Sequence, residues 1–183
     1  MISKRYEQEV IILSPLKQSA RQNLDKCIEY GYPHKTLFVD SDGGGDIQLI
    51  EKLIKENENF LITAIFRRID VIYKALEFMD EVFIIVEEFH NISKSNITNE
   101  SDNFYEVLHS DSKMMFMPAT PRVYEVDDDD IECPEIFGDV YYNMSFSHAI
   151  ENKYVTDYKI WLPSILEDND QLNRELRIYV IER

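Results

Sequence analysis

The sequence predicts an α/β fold, a parallel sheet flanked by helices, and three observations predict it. Short, wholly apolar runs recur along the chain, as strands buried on both faces require. Amphipathic stretches with helical spacing lie between them. Glycine, proline and Asp/Asn/Ser clusters mark most of the joints.

In order, Val10 to Leu13 is a buried strand that Ser14-Pro15 breaks, and Leu16 to Tyr30 is a helix stopped by Gly31-Tyr32-Pro33. Thr36 to Val39 is a second strand, closed by Asp40-Ser41-Asp42-Gly43. Ile47 to Asn57 is a helix with Ile47, Ile50, Leu53 and Ile54 on one face. Phe60 to Ile65 is a third strand, Asp70 to Met79 a helix with Ile72, Ala75, Leu76 and Met79 on one side, and Val82 to Val86 the fourth strand. Ser93 to Asn103 is polar and reads as a surface loop, with a short helix over Phe104 to Leu108 and a fifth strand over Met114 to Met117. Beyond an acidic stretch from Glu125 to Glu135, Val140 to Met144 and Asp157 to Leu162 alternate like strands with one wet face. Ser147 is placed to cap a helix over His148 to Asn152, and Leu172 to Arg183 reads as helical or as the start of another element.

A chain of 183 residues holds one domain, or one domain and part of another. No run reaches the length of a membrane span, and Met1 to Glu7 is charged and polar, unlike a signal peptide. Cys27 and Cys133, far apart in unlike contexts, read as reduced thiols of an intracellular protein, cytoplasmic or nuclear. The net charge of -16 argues against nucleic-acid binding by bulk electrostatics. The charge is uneven, however. Eight acids and no base lie between Glu125 and Asp139, whereas bases outnumber acids from Met1 to Thr36, which leaves a localised contact surface open there.

The residues that carry chemistry sit where apolar strands end. Val82-Phe83-Ile84-Ile85-Val86 runs into Glu87-Glu88-Phe89-His90, so a buried strand delivers two carboxylates and an imidazole to its carboxyl end. Such a pair can hold a magnesium ion and orient the attacking water. Met114-Met115-Phe116-Met117 ends in Pro118-Ala119-Thr120-Pro121-Arg122. Ser14-Pro15-Leu16-Lys17-Gln18 follows the first strand, where polar groups and a helix start suit a phosphate. Thr63-Ala64-Ile65-Phe66-Arg67-Arg68 closes the third strand with an adjacent basic pair. Each segment also has a plain structural reading, a solvated loop, a capped helix or a turn.

Taken in this order and at this spacing, the segments resemble the first RecA-like ATP-binding domain of superfamily 2 (DExH/DEAD-like) helicases, within the P-loop NTPase superfamily. The resemblance covers roughly residues 10 to 160. It implies that Glu87 holds Mg²⁺, that Glu88 is the base, and that both belong to the ATP site. It implies that His90, Ala119 and Thr120 couple nucleotide to nucleic acid. It also implies that Ser14, Pro15, Lys17, Gln18, Thr63, Arg67 and Arg68 contact DNA or RNA. The helix near His148 and the Asp157-Tyr158 pair are similar to the family's exit from its first domain. The wording of the motifs is most similar to helicases of large DNA viruses.

The chain departs from the family pattern at three points. Glu87 replaces Asp, Pro118 replaces Ser, and the one glycine cluster, Gly43-Gly44-Gly45, runs into Asp46 rather than Lys-Ser/Thr, so no phosphate-binding loop is present. The resemblance places that loop before Met1 and the second RecA-like domain after Arg183. The expected organisation is a partial RecA-like domain over residues 1–124, an acidic linker over 125–139, and a junction with the start of a second domain over 140–183. The fragment alone is then expected not to hydrolyse ATP, and the Met114–Met117 strand to expose an apolar edge that favours self-association. Two other readings fit the residues. One is a degenerate, non-catalytic binding or scaffold module. The other is an unrelated metal-dependent hydrolase using Glu87, Glu88 and His90.

Overall fold

The computed structural model describes residues 8–42, 45–118 and 137–156. The chain divides into two units, Met1–Asp139 and Val140–Arg183. In the first, β1 (Glu9–Ser14), β2 (Lys35–Val39), β3 (Phe60–Ile65), β4 (Val82–Glu87) and β5 (Lys113–Met117) form one sheet in the order β2-β3-β1-β4-β5. All four strand pairings are parallel, so every strand ends at the same edge of the sheet. This is the α/β fold that the apolar runs predict.

Among the described residues the helices of this unit are α1 (Lys17–Glu29), α2 (Ile47–Glu56), α3 (Ile69–Leu76), α4 (Lys94–Thr98) and α5 (Asn103–Leu108). Strand alternation divides the side chains between two layers. Ile11, Leu13, Ile62, Ala64, Ile84 and Val86 pack with Ile50 of α2, Ile72 and Ala75 of α3, Ile97 of α4 and Val107 of α5. Val10, Ile12, Leu61, Phe38 and Ile85 pack with Leu24 and Cys27 of α1. Among the described residues four helices therefore serve one face and a single helix the other. As a result β4 is alternately buried and half-buried, and Met115 and Met117 of β5 stay 39% and 47% exposed. Among the described residues β5 has one partner, β4, and is an edge strand. Cys27 is a free thiol, and burial pushes its pKa up, so it behaves as a small apolar group.

Three local expectations are corrected. The polar Ser93–Asn103 segment contains α4, because Ser93 and Asn96 form a reciprocal capping box and Ile97 is buried. In the second unit the helix among the described residues is α6, Phe146–Glu151, and its cap is Ser145 rather than Ser147, the Ser145 hydroxyl accepting from the His148 amide at 3.2 Å. The Val140 to Met144 segment, expected as a strand, pairs with no strand among the described residues. Tyr141 is 96% exposed. The expectations for Asp157 to Leu162, Leu172 to Arg183 and the acidic Glu125 to Glu135 stretch lie outside the described residues. No helix among the described residues is long and apolar enough to cross a membrane.

Gly45 shows a backbone demand of the β2–α2 turn. Its φ is +75°, and an added Cβ would lie 2.7 Å from a Val39 methyl and 3.0 Å from the Phe38 carbonyl oxygen. Asp46 then caps α2 by accepting from the Leu49 amide at 3.0 Å.

At the amino end of β1, the Glu9 carboxyl has one oxygen buried without a hydrogen-bond partner among the described residues. Burial, and then repulsion from Asp80, raise its pKa. A raised carboxyl pKa favours the folded state below the unfolded value and loses that contribution as pH rises through the folded value. Glu9→Gln is therefore expected to raise Tm near pH 7 and to change it little near pH 4. Scanning calorimetry at the two pH values checks this, and an equal shift at both would exclude the carboxylate as the cause.

Candidate functional site

The parallel strands bring the ends of β1, β3, β4 and β5 to one edge. Ser14, Arg67, Arg68, Glu87, Glu88 and Pro118 therefore share that edge. Glu87 is the last residue of β4 and half-buried, on the face that α1 covers. Glu88 leaves the strand with φ 49° and ψ 44°, a left-handed conformation that costs a side-chain-bearing residue about 1–2 kcal/mol. The turn that follows holds it there. The Glu88 amide donates to the Met117 carbonyl of β5 at 2.7 Å, and the Asn91 side-chain amide donates to the Glu88 carbonyl at 3.0 Å. The reversal places the Glu88 carboxylate 3.1 Å from Nδ1 of His90. A residue strained in this way at a strand end aims its carboxylate away from the strand's own alternation.

The aromatic residue within Glu-Glu-Phe-His anchors the turn. Phe89 is buried, stacks on Phe137 at 4.6 Å between ring centres, and meets Phe116 of β5 edge-on at 5.5 Å. Charged residues and a core residue thus alternate within one short turn.

The basic side chains are arranged less simply. Lys17, exposed at the start of α1, forms ion pairs with Asp40 at 2.6 Å and with Asp42. Hydrogen bonds to Asp40 and then Asp42 push its pKa up. Asp40 is buried at the end of β2, and its backbone carbonyl accepts from Arg68 at 2.8 Å. Arg68 also lies 3.8 Å from Asp70. Asp40 thus ties together the ends of β1, β2 and β3. Arg67 and Gln18 are exposed, and Pro15 is half-buried. Ser14 and Thr63 are fully buried, and the Thr63 hydroxyl has no hydrogen-bond partner among the described residues. Ala119 and Thr120 lie outside the described residues.

Two side chains that the motifs did not single out join the site. One is Asp40. The other is Asn23 of α1, whose amide nitrogen lies 2.9 Å from Glu87 Oε2 and 3.2 Å from Ser14 Oγ. Asn23 falls on the inward stripe formed by Ala20, Leu24 and Cys27, and a polar residue on that stripe was the signal.

The donor set suits a magnesium ion that arrives with a phosphate ligand. Mg²⁺ is held by one or two carboxylates together with substrate phosphates and water, not by an all-protein cage. Among the described residues no group of three or more His, Cys, Asp or Glu could hold a metal, while the adjacent Glu87 and Glu88 supply carboxylate oxygens.

A family model described as DEAD/DEAH box helicase matches residues 1–128. No curated protein matches the chain. Among solved structures, the chain is similar to a nuclease-deletion mutant of the Type ISP restriction-modification enzyme LlaGI in complex with a DNA substrate mimic. The TM-score is 0.63 at 22% identity, over 83% of this chain and 14% of that one. It is also similar to the ATP-dependent Type ISP restriction-modification enzyme LlaBIII bound to DNA, with a TM-score of 0.61 at 20% identity, over 86% of this chain and 13% of that one. The chain therefore spans about a seventh of the length of either neighbour.

Proposed function

Because the chain belongs to the DEAD/DEAH box helicase family and has its RecA-like α/β fold, we propose that it forms part of an ATP-dependent superfamily 2 helicase or translocase that moves on nucleic acid inside the cell. The observation that carries this reading is the Glu88 turn, a strained left-handed carboxylate at a buried strand end, 3.1 Å from His90. DNA is favoured as the track, since both solved neighbours were determined with DNA or a DNA mimic.

The roles divide by position. Glu88 orients the attacking water and accepts its proton, with the His90 imidazole beside that carboxylate. Glu87 is the magnesium ligand, and the ion would offset the charge on the phosphate oxygens when bound. Arg67 and Gln18, both exposed at the strand-end edge, contact the nucleic-acid backbone, joined by Pro15 and by whatever share of Lys17 and Arg68 is released from Asp40. Ser14 and Thr63, being buried, act from beneath that surface. Ala119 and Thr120 couple the two sites. The phosphate cradle and the second RecA-like domain come from polypeptide outside residues 1–183, so this fragment by itself is inactive.

The test compares ATP turnover, with and without DNA, for this chain and for the chain extended through its flanking reading frame. DNA-stimulated turnover is expected only for the extended protein. Turnover by residues 1–183 alone would refute the division of labour. The absence of turnover in an extended protein that carries a phosphate loop would favour the second reading, a non-catalytic binding or scaffold module. The engagement of Lys17 by two carboxylates favours that module, as do Glu87 and Pro118 at positions where the family has Asp and Ser.

The edge strand β5, with Met115 and Met117 exposed, is proposed to drive self-association of the isolated chain. Sedimentation velocity is expected to show mass rising with concentration, and a single monomeric species across the range would rule this out.

A further inference from the structure

Asn23 occupies a helix position that periodicity assigns to an apolar residue. It lies three residues after buried Ala20 and one before buried Leu24. A half-buried amide there needs partners, because a polar group taken out of water without hydrogen bonds destabilises the fold. It has two. An amide nitrogen carries two protons, and Asn23 Nδ2 is 3.2 Å from the Ser14 hydroxyl and 2.9 Å from Glu87 Oε2. No other side chain among the described residues donates to the Glu87 carboxylate.

The two acceptors belong to different halves of the proposed machine. Ser14 ends β1 and leads into Pro15-Leu16-Lys17-Gln18, while Glu87 ends β4. The strands are adjacent, with Leu13 opposite Val86, so one further step along each brings Ser14 alongside Glu87. Ser14 is fully buried and does not itself reach a phosphate. What it registers is the position of the loop that it anchors. Any shift of that loop changes how the Asn23 amide divides its two protons between a neutral hydroxyl and a carboxylate.

We propose that Asn23 is a positioning residue that links the nucleic-acid-facing loop after β1 to the Glu87 carboxylate, so that a bound nucleic-acid strand alters the setting of Glu87. The proposal rests on the helicase reading above. Asparagine suits the position chemically. Leucine would fill the space and leave both acceptors without a donor, and aspartate would set a second negative charge against Glu87.

The test uses the full chain, labelled with ¹⁵N and ¹³C, and a single-stranded oligothymidylate as probe. In the wild-type protein the Asn23 side-chain amide and the Glu87 carboxyl carbon are expected to shift on the same binding curve as the backbone amides of Lys17 and Arg67. In Asn23→Leu those backbone amides still shift, and the Glu87 response is lost. Movement of the backbone amides in wild type with Glu87 and Asn23 still would overturn the relay and leave the nucleic-acid reading intact. So would an undiminished Glu87 shift in Asn23→Leu. No movement at any of these groups would overturn the nucleic-acid reading and the relay together. The wild-type titration is decisive by itself if the leucine variant does not fold.

Discussion

Glu88→Gln is expected to lower ATP turnover by about 10²–10⁴-fold in an enzyme that carries this domain, while nucleotide binding is retained. The substitution keeps size and hydrogen-bonding shape and removes the ability to take a proton. A companion variant separates chemistry from structure. Glu88 sits at φ 49°, where a glycine is unstrained. Glu88→Gly is therefore expected to abolish turnover equally and yet leave the fold as stable, or more stable by about 1 kcal/mol, because relief of strain is set against a more flexible unfolded chain. Urea denaturation and turnover measured on the same preparations check both halves. If Glu88→Gly destabilises by several kcal/mol, the left-handed conformation is not the native one. If Glu88→Gln retains full turnover, Glu88 is not the base. This pairing of loss in function with gain in stability is what a strained active-site position predicts and an ordinary surface acid does not.

The second large effect is structural. Ile84 is fully buried in β4, opposite Ile11 of β1 and Met114 of β5, on the face served by four helices. Ile84→Ala is expected to cost about 2–5 kcal/mol, because a close-packed site collapses only in part around the lost atoms. That corresponds to a fall in Tm of about 10 °C in a domain of this size. Its neighbour Ile85 points to the face with one helix and is half-buried. Ile85→Ala should cost about half as much, since less apolar area returns to water. Equal losses would show that the two faces are covered alike in solution, contrary to the helix arrangement.

The contrast between Ile84 and Ile85 also marks what the sequence could disclose. Val82 to Val86 is apolar throughout, so it announces a strand buried in a parallel sheet, but nothing in the run says which face has more helices. That depends on where each crossover passes. The same holds for α4. Its residues are polar, so helical periodicity is weak, and it forms because Ser93 and Asn96 cap each other and Ile97 is buried in the core. At the site, Glu87, Glu88 and His90 are legible because they are contiguous and follow an apolar strand. Asn23 is not, since its partner Glu87 lies 64 positions away and only the fold brings the two together. The ion pairs between Lys17 and two acids 23 and 25 positions on are hidden for the same reason, and they change what the lysine can offer a phosphate.

The order of the strands has a consequence for synthesis. β1 is central in the sheet and is made first among the described strands, while its neighbours β3 and β4 are made later. Glu9 pairs beside Val82, so translation at about 5–20 residues per second leaves about 4–15 s between the emergence of the two. Through that interval Val10, Ile11, Ile12 and Leu13 form an apolar segment without its sheet. Among the described residues α1, which follows directly and carries Leu24 onto Val10, is the first cover that the growing chain provides. A ribosome stalled once Gly31 has left the exit tunnel would present that β1–α1 pair, and chaperone capture should peak there and fall once β4 has emerged.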